Sequence, residues 1–207
     1  MSTTATYDAF LEACAQEGCP ICQLEHAADA RYLDRLLYEL VNDYAIRQQL
    51  RASLGFCPEH ARMATDEMQG KALGLAIIYD DLLRLVLEEL AGPRIALNPS
   101  RKCPACDNRD ETTSRALAEL SKNILQPSML RAFQSSQGLC LGHLRQALEH
   151  LRAPEKRSAL LGAQRAIMEK LRLELAEYIR KNDYRFVGET FGAERDSWRR
   201  AVRLGKK

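Results

Sequence analysis

Apolar residues recur at intervals of three or four along most of the chain. The pattern is clearest in segments 32–40, 72–90 and 160–179, and this spacing places the apolar side chains on one face of an α-helix. Runs of β-branched residues are scarce, and Asn-Gly and Asp-Gly hairpin signals are absent. The pattern therefore predicts an all-α fold. The predicted helices span 5–17, 21–41, 44–53, 59–91, 105–123, 127–136, 141–152, 155–183 and 189–204.

A cysteine–histidine pattern occurs twice. The first copy has CPIC at 19–22 and GFCPEH at 55–60, and the second has CPAC at 103–106 and GLCLGH at 138–143. The interval between the two motifs is nearly the same in both copies, so an internal duplication is the simplest explanation. Six of the seven cysteines and two of the four histidines belong to this pattern.

Each half of the chain thus offers three cysteines and one histidine, which is a complete ligand set for one tetrahedral zinc ion. Proline suits the first turn of a helix, so each motif is expected to place its first cysteine at a helix N-terminus and its second ligand one turn later. We therefore predict duplicated helical hairpins, each closed by a Cys₃His site holding one Zn²⁺, plus a C-terminal helix. The predicted metal ligands are Cys19, Cys22, Cys57 and His60 in the first half and Cys103, Cys106, Cys140 and His143 in the second.

An iron–sulfur cluster is an alternative occupant, because thiolate-rich ligand sets also hold [4Fe-4S] clusters. Arg101, Lys102 and Arg109 would offset the negative charge of such a cluster in the second half. The spacing of the ligands does not distinguish the two occupants. The chain has no HExxH motif, no glycine-rich phosphate loop and no grouped catalytic carboxylates, which argues against an enzyme.

The net charge of +2 conceals an asymmetry between the halves. Residues 1–92 carry 15 acidic and 7 basic side chains, whereas residues 93–207 carry 13 acidic and 23 basic ones. The sign changes at 92–100, where Gly92, Pro93 and Pro99 indicate a connector rather than a helix. We predict an acidic half at 1–92 with one metal site, a linker at 93–100, a basic half at 101–185 with the other site, and an amphipathic helix within 186–207.

The chain has 207 residues, of which 46% are hydrophobic, and these values suit a protein with a substantial core. The N-terminus lacks a basic segment followed by an apolar run, and no stretch approaches 18 apolar residues. We therefore expect a cytoplasmic protein without a membrane span. In a reducing compartment, metal binding is a more probable use for seven cysteines than disulfides.

Three further residues fall outside the repeated pattern. Cys14 lies on an apolar stripe with Tyr7 and Phe10 and is expected to be a packed core thiol. His26 and His150 are expected at the surface, or in the case of His26 close to the metal.

Several longer strings resemble an uncharacterised bacterial family that pairs CPxC with GFCxxH and is classed as a domain of unknown function. The strings are LLYELVND at 36–43, GFCPEH at 55–60, LGLAIIY at 73–79 and DSWRRA at 196–201. The resemblance covers nearly the whole chain and supports the eight ligands position by position. The second histidine motif departs from it, with Leu141 and Gly142 where the first has Pro58 and Glu59. The family brings no activity.

Three functional hypotheses follow. The first is a non-catalytic protein with two structural zinc sites whose surface binds a protein partner or a second copy of the chain. The second is an iron–sulfur electron-transfer or sensor protein that uses the same ligands. The third is a nucleic-acid binder that uses the basic half, although the chain lacks the interleaved aromatic residues typical of such surfaces.

Overall fold

The computed structural model describes residues 3–67, 70–93, 95, 97–186 and 188–205. Within these ranges the secondary structure is entirely helical, which confirms the predicted fold class. The helices are α1 (Thr3–Cys14), α2 (Pro20–Tyr38), α3 (Tyr44–Ala52), α4 (Pro58–Asp66), α5 (Ala72–Ala91), α6 (Pro104–Asn123), α7 (Pro127–Ser135), α8 (Leu141–His150), α9 (Pro154–Lys181) and α10 (Ser197–Leu204), with a short 3-10 helix at Tyr184–Phe186.

Two predicted helices differ from the observed ones. The helix predicted at 59–91 is two helices, α4 and α5, because the chain turns between them and Gly70 has a positive φ of 82°. A left-handed residue cannot continue a right-handed helix. The helix predicted at 189–204 begins only at Ser197, and an irregular segment precedes it.

Proline and short polar residues start many of the helices. Proline is the first residue of α2, α4, α6, α7 and α9, a position where the missing N–H removes no intrahelical hydrogen bond. Helix α3 is capped instead by Asp43, whose carboxylate accepts a hydrogen bond from the backbone N–H of Ile46 at 2.9 Å. The helix starts were therefore easier to predict than the ends.

The chain forms two compact units that do not coincide with its sequence halves. The first unit consists of Met1–Leu24 and Thr113–Lys207, and the second of Glu25–Thr112. Each unit therefore combines sequence from both copies of the repeat, and the unit boundaries fall inside α2 and α6. The described residues of the predicted linker are non-helical, whereas 94 and 96 lie outside the described residues.

Each unit has a hydrophobic core of its own. In the first unit, Phe10, Ile21, Phe133 and Leu160 are completely buried, and Cys14 packs among them as predicted. The large buried residues of the second unit include Leu33, Leu36, Leu50, Ile78 and Leu82. Among the described residues, no helix combines the length and the apolar content that crossing a bilayer requires.

Gly74 permits a close helix crossing in the second unit. It lies in the first turn of α5, and a Cβ atom at this position would overlap the carbonyl oxygen of Leu37 in α2 and lie 3.2 Å from the side chain of Val41. The position of Gly74 within a predicted helix gives no sign of this contact. The structure shows that it lets the backbones of α2 and α5 come into contact.

We expect Gly74→Ala to destabilise the protein by about 1–3 kcal/mol or more, because backbone atoms must move to admit the methyl group. The control is Gly162→Ala in α9, where nothing lies within 4 Å of the added Cβ. This change should stabilise the protein by about 0.5–1 kcal/mol through helix propensity and reduced unfolded-state entropy. Urea unfolding monitored by circular dichroism measures the change in unfolding free energy for both variants. Equal changes would contradict the packing role of Gly74.

Candidate metal centres

The eight predicted ligands form two clusters. In each cluster the four candidate ligand atoms all lie within 4.8 Å of one another. Cluster 1, in the first unit, consists of Cys19, Cys22, Cys140 and His143; cluster 2, in the second unit, consists of Cys57, His60, Cys103 and Cys106.

The GxCxxH motifs adopt the same local structure in both clusters. Cys57 and Cys140 are the N-cap residues of α4 and α8, each with φ −65° and ψ 162°. Their carbonyl groups accept the first intrahelical hydrogen bonds, at 2.8 Å in both cases, while neither thiol is used as a side-chain cap. Each sulfur therefore faces its own histidine, three residues later, over the first helical turn.

The CPxC motifs provide the other half of each cluster. Cys19 and Cys103 directly precede α2 and α6, and their carbonyl groups accept hydrogen bonds from the first turns of these helices. Two helix N-termini thus meet in every cluster. Their unpaired N–H groups and the positive end of the helix dipole favour the thiolate form of the cysteines.

Cluster 1 has the dimensions of a site for one ion. His143 Nδ1 lies 3.4 Å from Cys19 Sγ, 3.4 Å from Cys22 Sγ and 3.3 Å from Cys140 Sγ. The sulfur atoms of Cys22 and Cys140 are 3.8 Å apart. A tetrahedral zinc with ordinary bond lengths requires separations of about 3.8 Å between sulfurs and about 3.5 Å between sulfur and nitrogen.

Cluster 2 is slightly tighter. His60 Nδ1 lies 3.2 Å from Cys57 Sγ and 3.5 Å from the sulfurs of both Cys103 and Cys106. The Cys106 sulfur is 3.4 Å from that of Cys103 and 3.6 Å from that of Cys57. In both clusters the donor set of three sulfurs and one imidazole nitrogen suits a tetrahedral divalent ion.

The predicted pairing of ligands within each half is wrong. Each cluster joins the CPxC motif of one repeat to the GxCxxH motif of the other. Helix α2 has 19 residues and is roughly 28 Å long, whereas α3 has nine residues and is only about half as long. The chain between the two motifs is therefore not a closed hairpin, and the second repeat has the same proportions in α6 and α7.

A buried carboxylate supports the histidine of cluster 2. Asp29 and His60 are both fully buried, and Asp29 Oδ2 lies 3.2 Å from His60 Nε2. The guanidinium of Arg109 donates to the same carboxylate oxygen at 2.7 Å and to Glu59 at 2.7 Å. A carboxylate at the outer nitrogen of a ligating histidine orients the ring and raises its basicity. Here Asp29 holds the ring of His60 with Nδ1 towards the three sulfurs.

Sequence reasoning missed this role of Asp29 and of Arg109. Among the three basic residues considered as counter-charges for an iron–sulfur cluster, Arg101 pairs with Asp107 at 3.0 Å and Lys102 with Asp110 at 2.7 Å. Arg109 instead compensates the buried Asp29. A signal was available, since a helix that begins at a CPxC motif places a residue ten positions later on a predictable face.

The thiols of cluster 2 differ in acidity. Burial opposes ionisation of Cys103, but hydrogen bonds from His60 and from the backbone of Cys57 lower the pKa of its thiol to about 6. Burial and the hydrogen bond with Cys103 raise the pKa of Cys106 instead. Binding of a divalent ion must therefore displace a proton from Cys106, and such binding weakens as the pH falls.

The two repeats diverge around the ligands. Asp29 follows the first cysteine of its CPxC motif by ten residues, and the corresponding residue of the other repeat is Thr113. Glu59, which binds Arg109, corresponds to Gly142, one of the two positions between Cys and His at which the second histidine motif departs from the first. The ligands are thus duplicated, whereas this carboxylate pair belongs to one copy.

The remaining cysteine and histidines lie outside the clusters. Burial and the neighbouring Cys19 raise the pKa of Cys14 to about 12, consistent with an inert core thiol. His26 is exposed and lies 3.1 Å from Glu67, and the exposed His150 contacts the carbonyl of Gln146 at 2.9 Å. None of these three residues belongs to a candidate ligand set found among the described residues.

Comparison with known proteins identifies the family. The chain belongs to DUF6062, a family of unknown function whose model matches twice, at residues 2–100 and 94–206. The double match confirms the internal duplication. A similar protein is the "Uncharacterized 23.9 kDa protein in xynA 3'region" of Caldicellulosiruptor sp. (strain Rt8B.4), which is 30% identical over 198 residues, covering 90% of this chain and 94% of that protein. No solved structure matches the chain.

We expect Asp29→Asn to weaken the affinity of cluster 2 for Zn²⁺ by about 10–100-fold, because His60 loses the buried carboxylate charge beside its outer nitrogen. Competition with a chromophoric chelator measures the affinity, and cluster 1 serves as the internal reference. The matched control is Asp34→Asn, also in α2, whose carboxylate is exposed and pairs with Lys71 at 2.9 Å. Equal affinities in the two variants would contradict a positioning role for Asp29.

Proposed function

We propose that this protein is a non-catalytic metal-binding protein in which each cluster holds one structural zinc ion. The observation that carries the proposal is the geometry of the two quartets, in which all four donor atoms fall within the span of a single tetrahedral ion. Three thiolates and one imidazole complete the coordination of that ion. They leave no open position for a substrate or an activated water.

The alternative, a [4Fe-4S] cluster, is less well supported. Such a cluster places each ligand on a different iron, so its ligand atoms surround a four-iron body rather than one ion. Donor atoms within 4.8 Å of one another leave too little room for that body. The same donor set suits a single zinc ion without rearrangement.

A structural role follows from the segments that each ion would join. In cluster 1, Cys22 and Cys140 are 118 positions apart in sequence, and in cluster 2, Cys57 and Cys106 are 49 apart. Closing such long loops carries an entropic cost. Binding of structural zinc contributes about 10–16 kcal/mol in small zinc domains, as much as the whole stability of a typical domain. The ions would therefore decide whether each unit folds.

We expect metal analysis of anaerobically purified protein to give two zinc ions per chain and no colour. Cys57→Ser should lose one ion and lower the melting temperature, because zinc binding is part of the folding energy. Cys14→Ser is the control, since this thiol lies in the core outside both clusters. A brown protein containing iron and sulfide would contradict the zinc assignment.

Two double variants test the observed pairing within the same experiment. Cys57→Ser with Cys103→Ser removes two ligands of cluster 2 and should leave one ion per chain. Cys19→Ser with Cys57→Ser removes one ligand from each cluster and should leave none. Pairing within each sequence half predicts the reverse result for both variants, so the stoichiometry decides between the two arrangements.

We also propose that α5 carries a self-association surface. Leu83, Leu87 and Leu90 are each more than half exposed, and their spacing places them on one side of the helix. The helix flank beside them carries Asp80, Arg84 and Glu88 in turn. In an antiparallel pair of α5 helices, equal flanks face each other, so Arg84 of one copy meets acidic residues of the second. The flank charges are therefore complementary when the pair is centred on the three leucines.

We expect the protein to be dimeric at about 100 µM in light scattering coupled to size exclusion, since weak interfaces of this kind associate in the micromolar range. Leu83→Glu with Leu87→Glu should give a monomer. The control is Leu173→Glu, a comparably exposed leucine on α9. A monomeric wild-type protein at this concentration, or a dimer unaffected by the α5 changes, would reject the surface.

A further inference from the structure

A cavity of about 470 Å³ lies beside cluster 1 in the first unit. Two candidate ligands, Cys19 and Cys140, contribute to its wall, together with the loop between α7 and α8. One face of α9 and the side chains of α10 complete the cavity. Its volume is in the range of small-molecule binding sites. The cavity has no part in the metal binding proposed above.

The sequence explains why the space is not filled. Helix α9 presents Ala163 and Ala166 to the cavity, and these short side chains leave its volume unfilled. The loop cannot collapse inward, because Gln164 holds it through two hydrogen bonds. Its side-chain oxygen accepts from Leu139 N at 2.8 Å, and its amide donates to the Leu139 carbonyl at 3.1 Å. The cavity is therefore built into the fold.

Gly18 and Gln137 fix the neighbouring wall. The backbone N–H of Gly18, in the loop before α2, donates to the side-chain oxygen of Gln137 at 3.0 Å. This contact joins the loop that carries Cys19 to the loop that carries Cys140. Preformed walls reduce the ordering cost of binding a small ligand.

The cavity combines apolar and cationic residues. Ile167, Leu171 and Leu204 supply apolar surface, and Lys170, Arg200 and Arg203 supply three positive charges; all six line the cavity. This combination of an apolar wall and a few convergent polar groups is typical of ligand sites.

The three cations differ in how strongly they are held. Arg200 is engaged by Glu174 at 2.6 Å and by Asp196 at 2.9 Å. Arg203 pairs with Glu17 at 3.0 Å, but both side chains are exposed, so this pair is weak. Lys170 is exposed and forms no ion pair with a carboxylate within the described part of the chain. Lys170 and Arg203 are thus available to a ligand.

We infer that this cavity binds a small organic anion with an apolar body. The anionic head group, a carboxylate or a sulfonate, binds Lys170 and Arg203. The apolar body packs against Ile167, Leu171 and Leu204. This is a ligand-binding activity in addition to the structural metal role proposed above.

The charge expected at the metal centre determines which end of the bound anion faces cluster 1. A divalent ion with three thiolates and a neutral imidazole carries a net charge of about −1. With such an ion bound, a carboxylate would be repelled from the wall formed by Cys19 and Cys140 and attracted to Lys170. The apolar end of the ligand faces the sulfurs, which are weak hydrogen-bond acceptors.

The fluorescent probe 1-anilinonaphthalene-8-sulfonate, which has an aromatic body and one sulfonate, tests the inference on the full-length protein as purified. We expect saturable binding of one probe per chain. Lys170→Gln should weaken it about tenfold, the effect of losing one charge-assisted hydrogen bond. Lys156→Gln is the matched control, because Lys156 lies on α9 but does not line the cavity.

Two further measurements locate the site and identify the ligand chemistry. Ala166→Phe should abolish saturable binding by filling the cavity, whereas Ala176→Phe, at an exposed position of α9 away from it, should not. Hexanoate should displace the probe, and hexan-1-ol, which has the same chain without the charge, should not. Circular dichroism and metal content check that each variant is folded.

Three results would overturn the inference. They are equal probe affinity in Lys170→Gln and Lys156→Gln, retained binding in folded Ala166→Phe, and displacement by hexan-1-ol at the same concentration as hexanoate. None of these readouts depends on which metal the clusters hold.

Discussion

The meeting of two helix N-termini at each cysteine–histidine quartet is the constraint on which the rest of the structure depends. A proline in the first turn starts α2, α4 and α6 directly behind a cysteine. The thiols of Cys57 and Cys140 cap nothing through their side chains, so they remain available as metal ligands. Buried thiolates are costly without compensation, and the helix ends, the imidazoles and the proposed ion supply that compensation together.

Each cluster combines a CPxC motif from one repeat with a GxCxxH motif from the other, so both repeats are needed to complete either site. One copy contains two ligands of cluster 1 and two of cluster 2, and two ligands cannot complete a tetrahedral site. The unequal lengths of α2 and α3 explain why a single copy does not close on itself. Each compact unit consequently takes one motif from either copy, and its core forms around a complete quartet.

The two clusters share their ligands but not their surroundings. In the second unit, the buried Asp29, which is paired with the half-buried Arg109, supports His60. In the first unit, cluster 1 borders the cavity lined by Lys170 and Arg203. Conserving a ligand set while its environment changes is a simple route by which a duplicated site acquires a second role. The proposed division is a stabilised metal centre in one unit and a metal centre beside a ligand cavity in the other.

The sequence alone determined the helical fold class, the repeat and the eight clustered side chains, because helical periodicity and motif spacing are local properties. It also placed Cys14 in the core. Only the tertiary structure decided which motifs pair, that α4 and α5 are separate, and that Gly74 lies against Leu37. The contact between Asp29 and His60 likewise depends on the packing of α2 against the GFCPEH motif at 55–60. Such contacts depend on which helices pack together and at which residues they cross. The spacing of residues along the chain does not reveal this.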